Sequence, residues 1–311
     1  MNRLLHLKKK FQSGVVDKAS FVTEMYDLHK HLFEYPEAIA DTNISGFKIS
    51  REGIIADFVD PPISMICQPE DMRMAPVEAF NFGDYEPNEI QAVCRIIEKI
   101  GGSGCVFFDI GANAGFYSLS LNSYFPGIKG IAFEPIPKTY ATLLKNFDIN
   151  KVSKVRALNI GLADKEGELL FYTYPSQSGA SSMTRNVDSS DTIEVRCKVA
   201  VLDDLCEQEK CKVDFIKCDV EGAELFVFKG ASKIISRDKP VIFTEMLRKW
   251  CAKYEYQPND IIAFFDRLGY SCLSILDEEI KECDEVTKST IATNYLFLHR
   301  EKHREMFSHL T

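Results

Sequence analysis

Apolar runs alternate with amphipathic helical patterns through the middle of the chain. The clearest run, Val106–Ile110, is apolar except for Asp109, and a turn with two glycines follows it. Such a run is typical of a strand that is buried on both faces of a sheet. Strands that alternate with helical patterns, such as the one beginning at Pro137, predict an α/β fold with a parallel sheet. The other predicted strands of this sheet are Ile131–Phe133, Val155–Ile160, Val213–Cys218 and Val241–Thr244.

A segment rich in serine and glycine, Ser176–Ser190, interrupts the pattern in the second half of the chain. Two strand-like runs enclose it, Leu169–Tyr174 and Thr192–Val201. A loop of this length is either a disordered connector or a lid over a binding site, and the sequence leaves both interpretations open. The remaining C-terminal elements are a predicted helix over Asp260–Leu268 and predicted strands over Tyr270–Leu276 and Tyr295–His299.

The N-terminal region has a different character. Residues 1–39 mix leucine, phenylalanine, histidine and lysine in a pattern that predicts helices. The alternating runs Phe47–Ile49 and Ile54–Val59 predict a β-hairpin. We therefore expect an N-terminal extension over residues 1–80, helical and then a hairpin, and a larger domain over residues 81–311.

The glycine turn after the first strand predicts a ligand-binding loop. Gly111 and Gly115 lack a Cβ, so the loop can turn sharply and bring main-chain N–H groups against a ligand at the start of the next helix. The dinucleotide fingerprint needs glycine at the first, third and sixth loop positions. Here these positions are Gly111, Asn113 and Phe116, so two of the three required glycines are missing. No Gly-Lys-Ser/Thr follows Gly111 as in a phosphate-binding loop. The pattern therefore favours a cofactor without phosphates.

An acidic residue follows the second predicted strand. Glu134 lies roughly 20 residues beyond the glycine loop, where an acid that binds a ribose is expected. A carboxylate at this position can accept hydrogen bonds from both ribose hydroxyls. The sequence thus predicts a nucleoside-containing cofactor.

These motifs together resemble the FkbM-type methyltransferases, which use S-adenosylmethionine (SAM). The resemblance runs from about Phe82 to Leu298 and does not extend to residues 1 to about 80. It implies a Rossmann-like sheet of seven strands with helices on both faces, SAM as cofactor and S-adenosylhomocysteine as product. The segments that carry it are DIGANAGFYSL, FEPIP, LDDL, VDFIKCDVEGAELFVFKGA and PVIFTEM.

The resemblance also implies roles for individual residues. Asp109, Gly111, Asn113 and Gly115 would surround the methionine part of SAM, and Glu134 would bind its ribose. Three residues after the third strand, Gly161, Leu162 and Asp164, would flank the adenine. The segment FGDYEPNE precedes the first core strand in such enzymes, which makes Glu86 a possible pocket residue.

Composition agrees with a soluble enzyme. The chain has 311 residues, 45% of them hydrophobic, and its net charge of −9 argues against a broad nucleic-acid surface. Residues 1–30 are locally basic and include Lys8–Lys10, which we interpret as a solvated helix face, with contact to a membrane or a phosphate as the alternative. Ten cysteines without a CxxC pair indicate reduced thiols. The sequence shows no signal peptide and no apolar run long enough for a membrane span, so we expect a cytoplasmic protein.

Methyl transfer to an alcohol needs a base, and histidine would be the usual one. None of the six histidines lies between residues 32 and 298, so carboxylates or Lys217 become the candidates. Asp219 and Glu221 follow the strand Val213–Cys218, and Glu245 ends another strand. Because the carboxyl ends of parallel strands line the ligand crevice, we predict these three acids as catalytic residues.

Two other interpretations of these acids remain open. Asp219 and Glu221 could cap the helix that follows and complement its dipole. The three carboxylates could also hold a divalent ion, although the resemblance does not require a metal. A separate segment, Asp60–Ile63, resembles the Asp-Pro-Pro-aromatic motif of amino-group methyltransferases, but Ile63 supplies no aromatic face and a turn between strands explains it better.

Three functional hypotheses follow. The first is a SAM-dependent O-methyltransferase that acts on a hydroxyl of a sugar, glycan or secondary metabolite, an acceptor class that comes from the resemblance alone. The second is a dinucleotide-dependent oxidoreductase, which Asn113 and Phe116 disfavour. The third is a module that binds SAM or a partner without turnover. The sequence determines neither the individual acceptor nor the oligomeric state.

Overall fold

A computed structural model describes residues 2–185, 191–210, 212–276 and 279–310. An eight-stranded mixed sheet forms the centre of the protein. The strands are β1 (Ile44–Ile49), β2 (Ile54–Phe58), β3 (Ser64–Cys67), β4 (Val106–Ile110), β5 (Lys129–Phe133), β6 (Val155–Leu158), β7 (Gly161–Leu162), β8 (Gly167–Thr173), β9 (Ile193–Ala200), β10 (Phe215–Cys218), β11 (Val241–Glu245), β12 (Tyr270–Leu276), β13 (Glu279–Glu282) and β14 (Asn294–His299). The α-helices are α1 (Arg3–Gln12), α2 (Lys18–His29), α3 (Tyr35–Ala38), α4 (Ala75–Phe82), α5 (Pro87–Ile100), α6 (Phe116–Tyr124), α7 (Pro137–Ile149), α8 (Leu202–Glu209), α9 (Glu224–Gly230), α10 (Ser232–Asp238), α11 (Arg248–Cys251), α12 (Pro258–Arg267) and α13 (Arg304–Leu310).

The central sheet has the order β13-β12-β14-β11-β10-β4-β5-β6. The strands from β11 to β6 run parallel to one another, and β14 joins β11 in the antiparallel direction. The sheet has the predicted Rossmann-like architecture, with eight strands in place of the seven expected. The eighth, β13, forms a hairpin with β12 at the edge, and the sequence pattern did not predict it because Ile280 is its single apolar residue.

Helices cover both faces of this sheet, as predicted. Phe107 belongs to one buried cluster together with residues of α5 and α7, and its neighbour Phe108 belongs to a second cluster with residues of α9 and α12. Successive residues of a strand point to opposite faces, so β4 is buried on both sides. Within the described ranges, no helix combines the length and the apolar composition needed to cross a membrane.

A second sheet, ordered β7-β9-β8, lies beside the first. Its antiparallel pair β8 and β9 corresponds to the two strand-like runs on either side of the serine-rich segment. The predicted run Val155–Ile160 is shorter in the structure, where β6 ends at Leu158 and β7 begins at Gly161 in the second sheet.

The N-terminal region forms helices and then a sheet of three strands, β1-β2-β3. The predicted hairpin corresponds to β1 and β2, the sequence pattern missed β3, and Asp60–Ile63 lies between β2 and β3. Strand β3 packs on α7, since the main-chain N–H of Ser64 donates to Asn150 Oδ1 at 2.8 Å and that of Ile66 to Asn146 Oδ1 at 2.9 Å. The small sheet therefore shares a core with the larger unit, and a domain boundary near residue 80 remains a prediction.

Candidate active site

A cavity of about 1030 Å³ opens at the carboxyl ends of the parallel strands. Gly111 follows β4, Glu134 follows β5, Asp219 follows β10 and Glu245 ends β11, and all four residues line it. Ligand crevices of open α/β sheets lie at this edge, where the strand order reverses. The sheet topology thus brings together acids that are far apart in the sequence.

The two loop glycines are needed for close approach of the backbone. Gly111 has φ of 76°, and a Cβ on it would lie 1.8 Å from the carbonyl oxygen of Asp219. Gly115 has φ of 95°, and a Cβ there would lie 2.5 Å from Leu143 Cδ1 on α7. Gly111 therefore lets the ends of β4 and β10 meet, and Gly115 lets α6 pack on α7.

Three N–H groups of the glycine loop are bonded within the protein. Those of Gly111 and Ala112 donate to the carbonyl oxygen of Phe133 at 3.1 and 3.0 Å. The N–H of Asn113 donates to Glu134 Oε2 at 3.0 Å. Because these three donors are occupied, they are not available to bind a phosphate.

Glu134 is buried and holds the loop in place. Its Oε1 accepts the N–H of Ile136 at 2.8 Å, in addition to the bond from Asn113 to Oε2. Burial raises the pKa of Glu134 to about 7, although both main-chain donors act to lower it. Each oxygen keeps a second lone pair that can accept a ligand hydroxyl.

Gly161 and Leu162 line the cavity near Glu134, whereas three other predicted cofactor residues do not line it. Asp164 is exposed, and Gly115 faces α7. Asp109 is buried behind the wall, where its Oδ2 accepts from Ser118 Oγ at 2.7 Å. Burial raises the pKa of Asp109 above its ordinary value, against the lowering effect of the Lys217 charge. The positions of Asp109 and Gly115 favour a role in supporting the loop, whereas Asp164 lies outside the cavity lining.

Lys217 is a buried cation rather than a base. Its Nζ donates to the carbonyl oxygen of Gly111 at 3.1 Å and lies 3.4 Å from Asp219 Oδ2. Burial acts to lower the pKa of Lys217, but the carboxylates of Asp219, Asp109 and Glu86 outweigh it and raise the pKa above the ordinary value. An ammonium that stays protonated cannot accept a proton, so Lys217 drops out as a candidate base.

The three predicted catalytic acids converge in the cavity. One carboxylate oxygen from each of Asp219, Glu221 and Glu245 lies within 4.8 Å of the other two. Burial, and then the charge of Asp219, raise the pKa of Glu221 to about 9 and that of Glu245 to about 10. Like charges at this separation cannot all ionise freely, so the cluster retains protons at neutral pH. Three such oxygens also have the donor chemistry to bind a divalent cation.

Helix capping does not account for Asp219 and Glu221. Helix α9 begins only at Glu224, and no side chain caps it. Instead, Glu224 holds the turn, because its Oε1 accepts the N–H groups of Val220 and Gly222 at 3.0 and 3.1 Å. Sequence reasoning missed this residue, although its position three residues after Glu221 is the spacing of a capping box.

Glu86 lines the cavity as the resemblance implied. Tyr117 Oη donates to Glu86 Oε2 at 2.6 Å, and burial raises the pKa of Glu86. The ring of Tyr117 also lies 5.1 Å from Lys217 Nζ. Sequence reasoning did not identify Tyr117, because nothing in its local pattern distinguishes it from a core residue of α6.

The first part of the serine-rich segment crosses the cavity. Ser178 N–H donates to Asp71 Oδ2 and Ser178 Oγ to Asn113 Oδ1, both at 3.3 Å. Ser182 Oγ donates to the carbonyl oxygen of Glu221 at 3.1 Å. These bonds favour the lid interpretation for residues 176–185. Residues 186–190 lie outside the described part of the chain.

The described histidine side chains lie away from this site. Of the histidine side chains that the structure describes, none lines the cavity. His299, at the end of β14, and His303, just before α13, are both buried, and the N–H of His299 donates to His303 Nδ1 at 3.0 Å. The proton chemistry of the cavity therefore rests on carboxylates.

A comparison with protein families shows to which family this chain belongs. Residues 109–272 match the methyltransferase FkbM domain, which is more than half of the chain. The chain belongs to this family. The matched FkbM region begins at Asp109 and includes all three acids of the cluster.

Relatives of this FkbM chain carry methyltransferase names. Methyltransferase 1 of Beauveria bassiana is 33% identical over 140 residues, covering 39% of this chain and 56% of the relative. The hexuronic acid methyltransferase AglP of Haloferax volcanii is 30% identical over 146 residues, covering 47% and 57%. The chain therefore spans little more than half the length of these relatives. A crystal structure of an FkbM methyltransferase from Methylobacillus flagellatus aligns with a TM-score of 0.39 and 20% identity, covering 62% of this chain and 43% of that one.

Proposed function

We propose that this protein is a SAM-dependent methyltransferase that methylates a hydroxyl of a sugar, glycan or secondary metabolite. One observation carries the proposal. A single cavity contains the glycine loop and Glu134 at one end of the strand edge and the acidic cluster of Asp219, Glu221 and Glu245 at the other. A cofactor site and a proton-accepting group are thereby adjacent, which a direct transfer between two bound molecules requires.

The residues present fit SAM better than a dinucleotide. Glu134 has a free lone pair on each oxygen for the two ribose hydroxyls, and Gly161 and Leu162 offer an uncharged wall for the adenine. The bonded N–H groups of the loop and the carboxylates along the wall disfavour a pyrophosphate. Asp109 and Gly115 contribute by fixing the loop from behind.

The acidic cluster is suited to accept the proton of an alcohol. When bound, SAM supplies a methyl group that is electrophilic because it is attached to a sulfonium. Glu221 and Glu245, once ionised, are stronger bases than ordinary carboxylates, since their raised pKa values lie closer to that of a hydroxyl. Asp219, held beside Lys217, orients an acceptor hydroxyl toward the pair.

The size of the cavity and the names of relatives support a sugar-like acceptor. A volume of about 1030 Å³ slightly exceeds the range of about 300–1,000 Å³ for ligand pockets, which leaves room for two molecules. AglP is named for methylation of a hexuronic acid. Carboxylates that line the acceptor end can accept hydrogen bonds from several hydroxyls of a sugar.

Calorimetry and a transfer assay test the proposal together. We expect SAM and S-adenosylhomocysteine to bind, NAD and NADP not to bind, and labelled SAM to give a methylated product with a panel of glycosides, glycans and secondary metabolites. Binding of NAD in place of SAM would overturn the cofactor assignment. SAM binding without any product from the panel would instead support a binding module without turnover.

A further inference from the structure

The N-terminal helical hairpin, α1 with α2, stands apart from the core of the protein. No residue of 2–38 belongs to any of the three buried clusters. Leu7 is the one buried side chain of α1, and within its described residues α2 has none. The N-terminal region contacts the rest of the protein after the hairpin, where the ring of Tyr35 stacks on Phe80 at 5.5 Å and lies edge-on to Phe47 at 5.7 Å.

Such a hairpin is poorly supported by its own contacts. Helices α1 and α2 have 10 and 12 residues, and isolated helices below about 12–15 residues are marginal in water. Most helical stability in proteins comes from burial of an apolar face, which here is limited to the seam where Phe11 stacks on Phe21 at 4.3 Å. The hairpin therefore needs a further surface to pack against.

An apolar surface on the outer side of the hairpin is available for that packing. Val22, Tyr26 and Phe33 are 57%, 54% and 71% exposed. Val22 and Tyr26 lie four residues apart on one side of α2, and the ring of Tyr26 stacks on Phe33 at 6.3 Å. A contiguous exposed group of large apolar side chains is typical of an interaction site.

The charges of the hairpin are divided between its two halves. Helix α1 contains four basic residues and no acid, whereas residues 17–37 contain five acids against Lys18 and Lys30. In the described part of the chain, no ion pair joins α1 to residues 17–37, and the pairs present are local ones, Lys30 with Asp27 and His31 with Glu34. Among the described residues, the four basic side chains of α1 thus have no ion-pair partner within one molecule, and Glu24 and Glu37 make no ion pair either.

We propose that the hairpin is a dimerisation surface for a second copy of this chain. In a two-fold symmetric contact, α1 of one protomer faces residues 17–37 of the other twice, so both charge sets are paired. The same contact covers Val22, Tyr26 and Phe33 on both copies. The two hairpins then form a four-helix arrangement that buries the apolar side chains left exposed in a single copy.

Charge distinguishes this partner from a membrane or a nucleic acid. Residues 1–38 carry six basic and five acidic residues, so the hairpin as a whole has almost no net charge to attract an anionic surface. The acids of residues 17–37 would also be brought against the lipid headgroups or phosphates. A second hairpin offers both acidic and basic partners, whereas an anionic membrane or a nucleic acid offers negative charge alone.

Sedimentation velocity of the full chain at micromolar concentration tests the apolar surface. We expect an apparent mass near twice 35.3 kDa for the wild type and 35.3 kDa for the double variant Val22→Glu, Tyr26→Glu. The matched control is Ile291→Glu, an exposed apolar residue outside the hairpin, which should remain dimeric. A monomeric wild type, including one that binds anionic vesicles, would overturn the proposal, as would a double variant that stays dimeric.

Charge reversal keeps the test independent of hairpin folding. One variant carries Lys8→Glu, Lys9→Glu and Lys10→Glu, and the other carries Glu24→Lys, Glu34→Lys and Glu37→Lys. Each alone should be monomeric, because like charges then meet across the two-fold contact. An equal mixture should recover the dimer mass, since each α1 then meets residues 17–37 of opposite charge. If the mixture stays monomeric, the pairing of α1 with residues 17–37 between copies is wrong.

Discussion

Lys217 Nζ lies 3.4 Å from Asp219 Oδ2, and this ion pair joins the buried interior to the wall of the cavity. The same ammonium lies 3.9 Å from Asp109 Oδ1 and donates to the carbonyl oxygen of Gly111. It therefore connects the ends of β4 and β10 and offsets part of the negative charge collected there. Without a buried cation, acids on neighbouring strands would repel one another strongly.

Lys217→Met should destabilise the fold by about 3–5 kcal/mol, because it leaves Asp109 buried without a charge partner. Urea unfolding followed by circular dichroism measures this loss. The control is Lys212→Met, which removes an exposed lysine 3.8 Å from Asp214 and should change the free energy of unfolding by less than about 1 kcal/mol. Equal stability of both variants would contradict the role given to Lys217.

Glu134→Gln should weaken SAM binding about 10- to 100-fold, since hydrogen bonds to a charged carboxylate contribute about 1.5–3 kcal/mol. Titration calorimetry gives the affinity, and thermal melting shows whether the variant remains folded. Asp164→Asn is the control, because Asp164 is exposed and does not line the cavity. A loss of affinity in Asp164→Asn alone would restore the adenine contact that the sequence predicted for that residue.

The double variant Glu221→Gln, Glu245→Gln should lose about 10²- to 10⁴-fold in turnover while SAM still binds. Wild-type turnover should rise with pH above 7, because the raised pKa values of about 9 and 10 leave the bases largely protonated at neutral pH. Initial rates from pH 6 to 10 at saturating substrates measure both effects. Unchanged turnover in the variant would assign the proton to another group.

The same acids should make the free protein less stable as pH rises. Burial raises the pKa of Glu245 in the folded protein to about 10, so its stabilising contribution is complete below its ordinary value near 4.5 and is lost as pH increases through about 10. Glu245→Gln removes this linkage and should be stabilised relative to wild type by roughly 3–5 kcal/mol at pH 8, but by less than about 1 kcal/mol at pH 5. Urea unfolding at both pH values measures it, and a difference that is equal at pH 5 and 8 would contradict the pKa shift.

Asp71→Ala should loosen the lid. It removes the acceptor for the N–H of Ser178, a bond that contributes about 1 kcal/mol, so S-adenosylhomocysteine should dissociate severalfold faster. Hydrogen–deuterium exchange of residues 176–182 should also accelerate. Glu52→Ala, in the turn between β1 and β2, is the control. Unchanged exchange in Asp71→Ala would return residues 176–185 to the role of a connector.

Local pattern was sufficient for most of the central sheet. The apolar run Val106–Ile110 predicted β4 with its bounds, because a strand buried on both faces has no polar alternation to obscure it. By contrast, β3 and β13 are short and partly exposed, so their four-residue sequences do not distinguish strand from loop. Their pairing partners, rather than their own residues, make them strands.

The candidate site was predictable where strand ends carried the signal. Glu134, Asp219 and Glu245 were identified because topology brings such ends to one edge. The burial of Asp109 behind the wall and the pairing of Lys217 were not predictable, since both depend on side-chain packing across neighbouring strands. Glu224 and Tyr117 were missed for the same reason, as each acts through a hydrogen bond that only the folded chain provides.

The sequence by itself determined the parallel core strands, the glycine turn and the acids at the strand ends, because these depend on apolar periodicity and on residues that are close in the chain. Only the tertiary structure decided which of those acids line the cavity, which groups retain protons and where the lid is bonded. The reason is physical: pKa values, burial and hydrogen bonding depend on neighbours in space, and here those neighbours come from strands and loops far apart in the sequence.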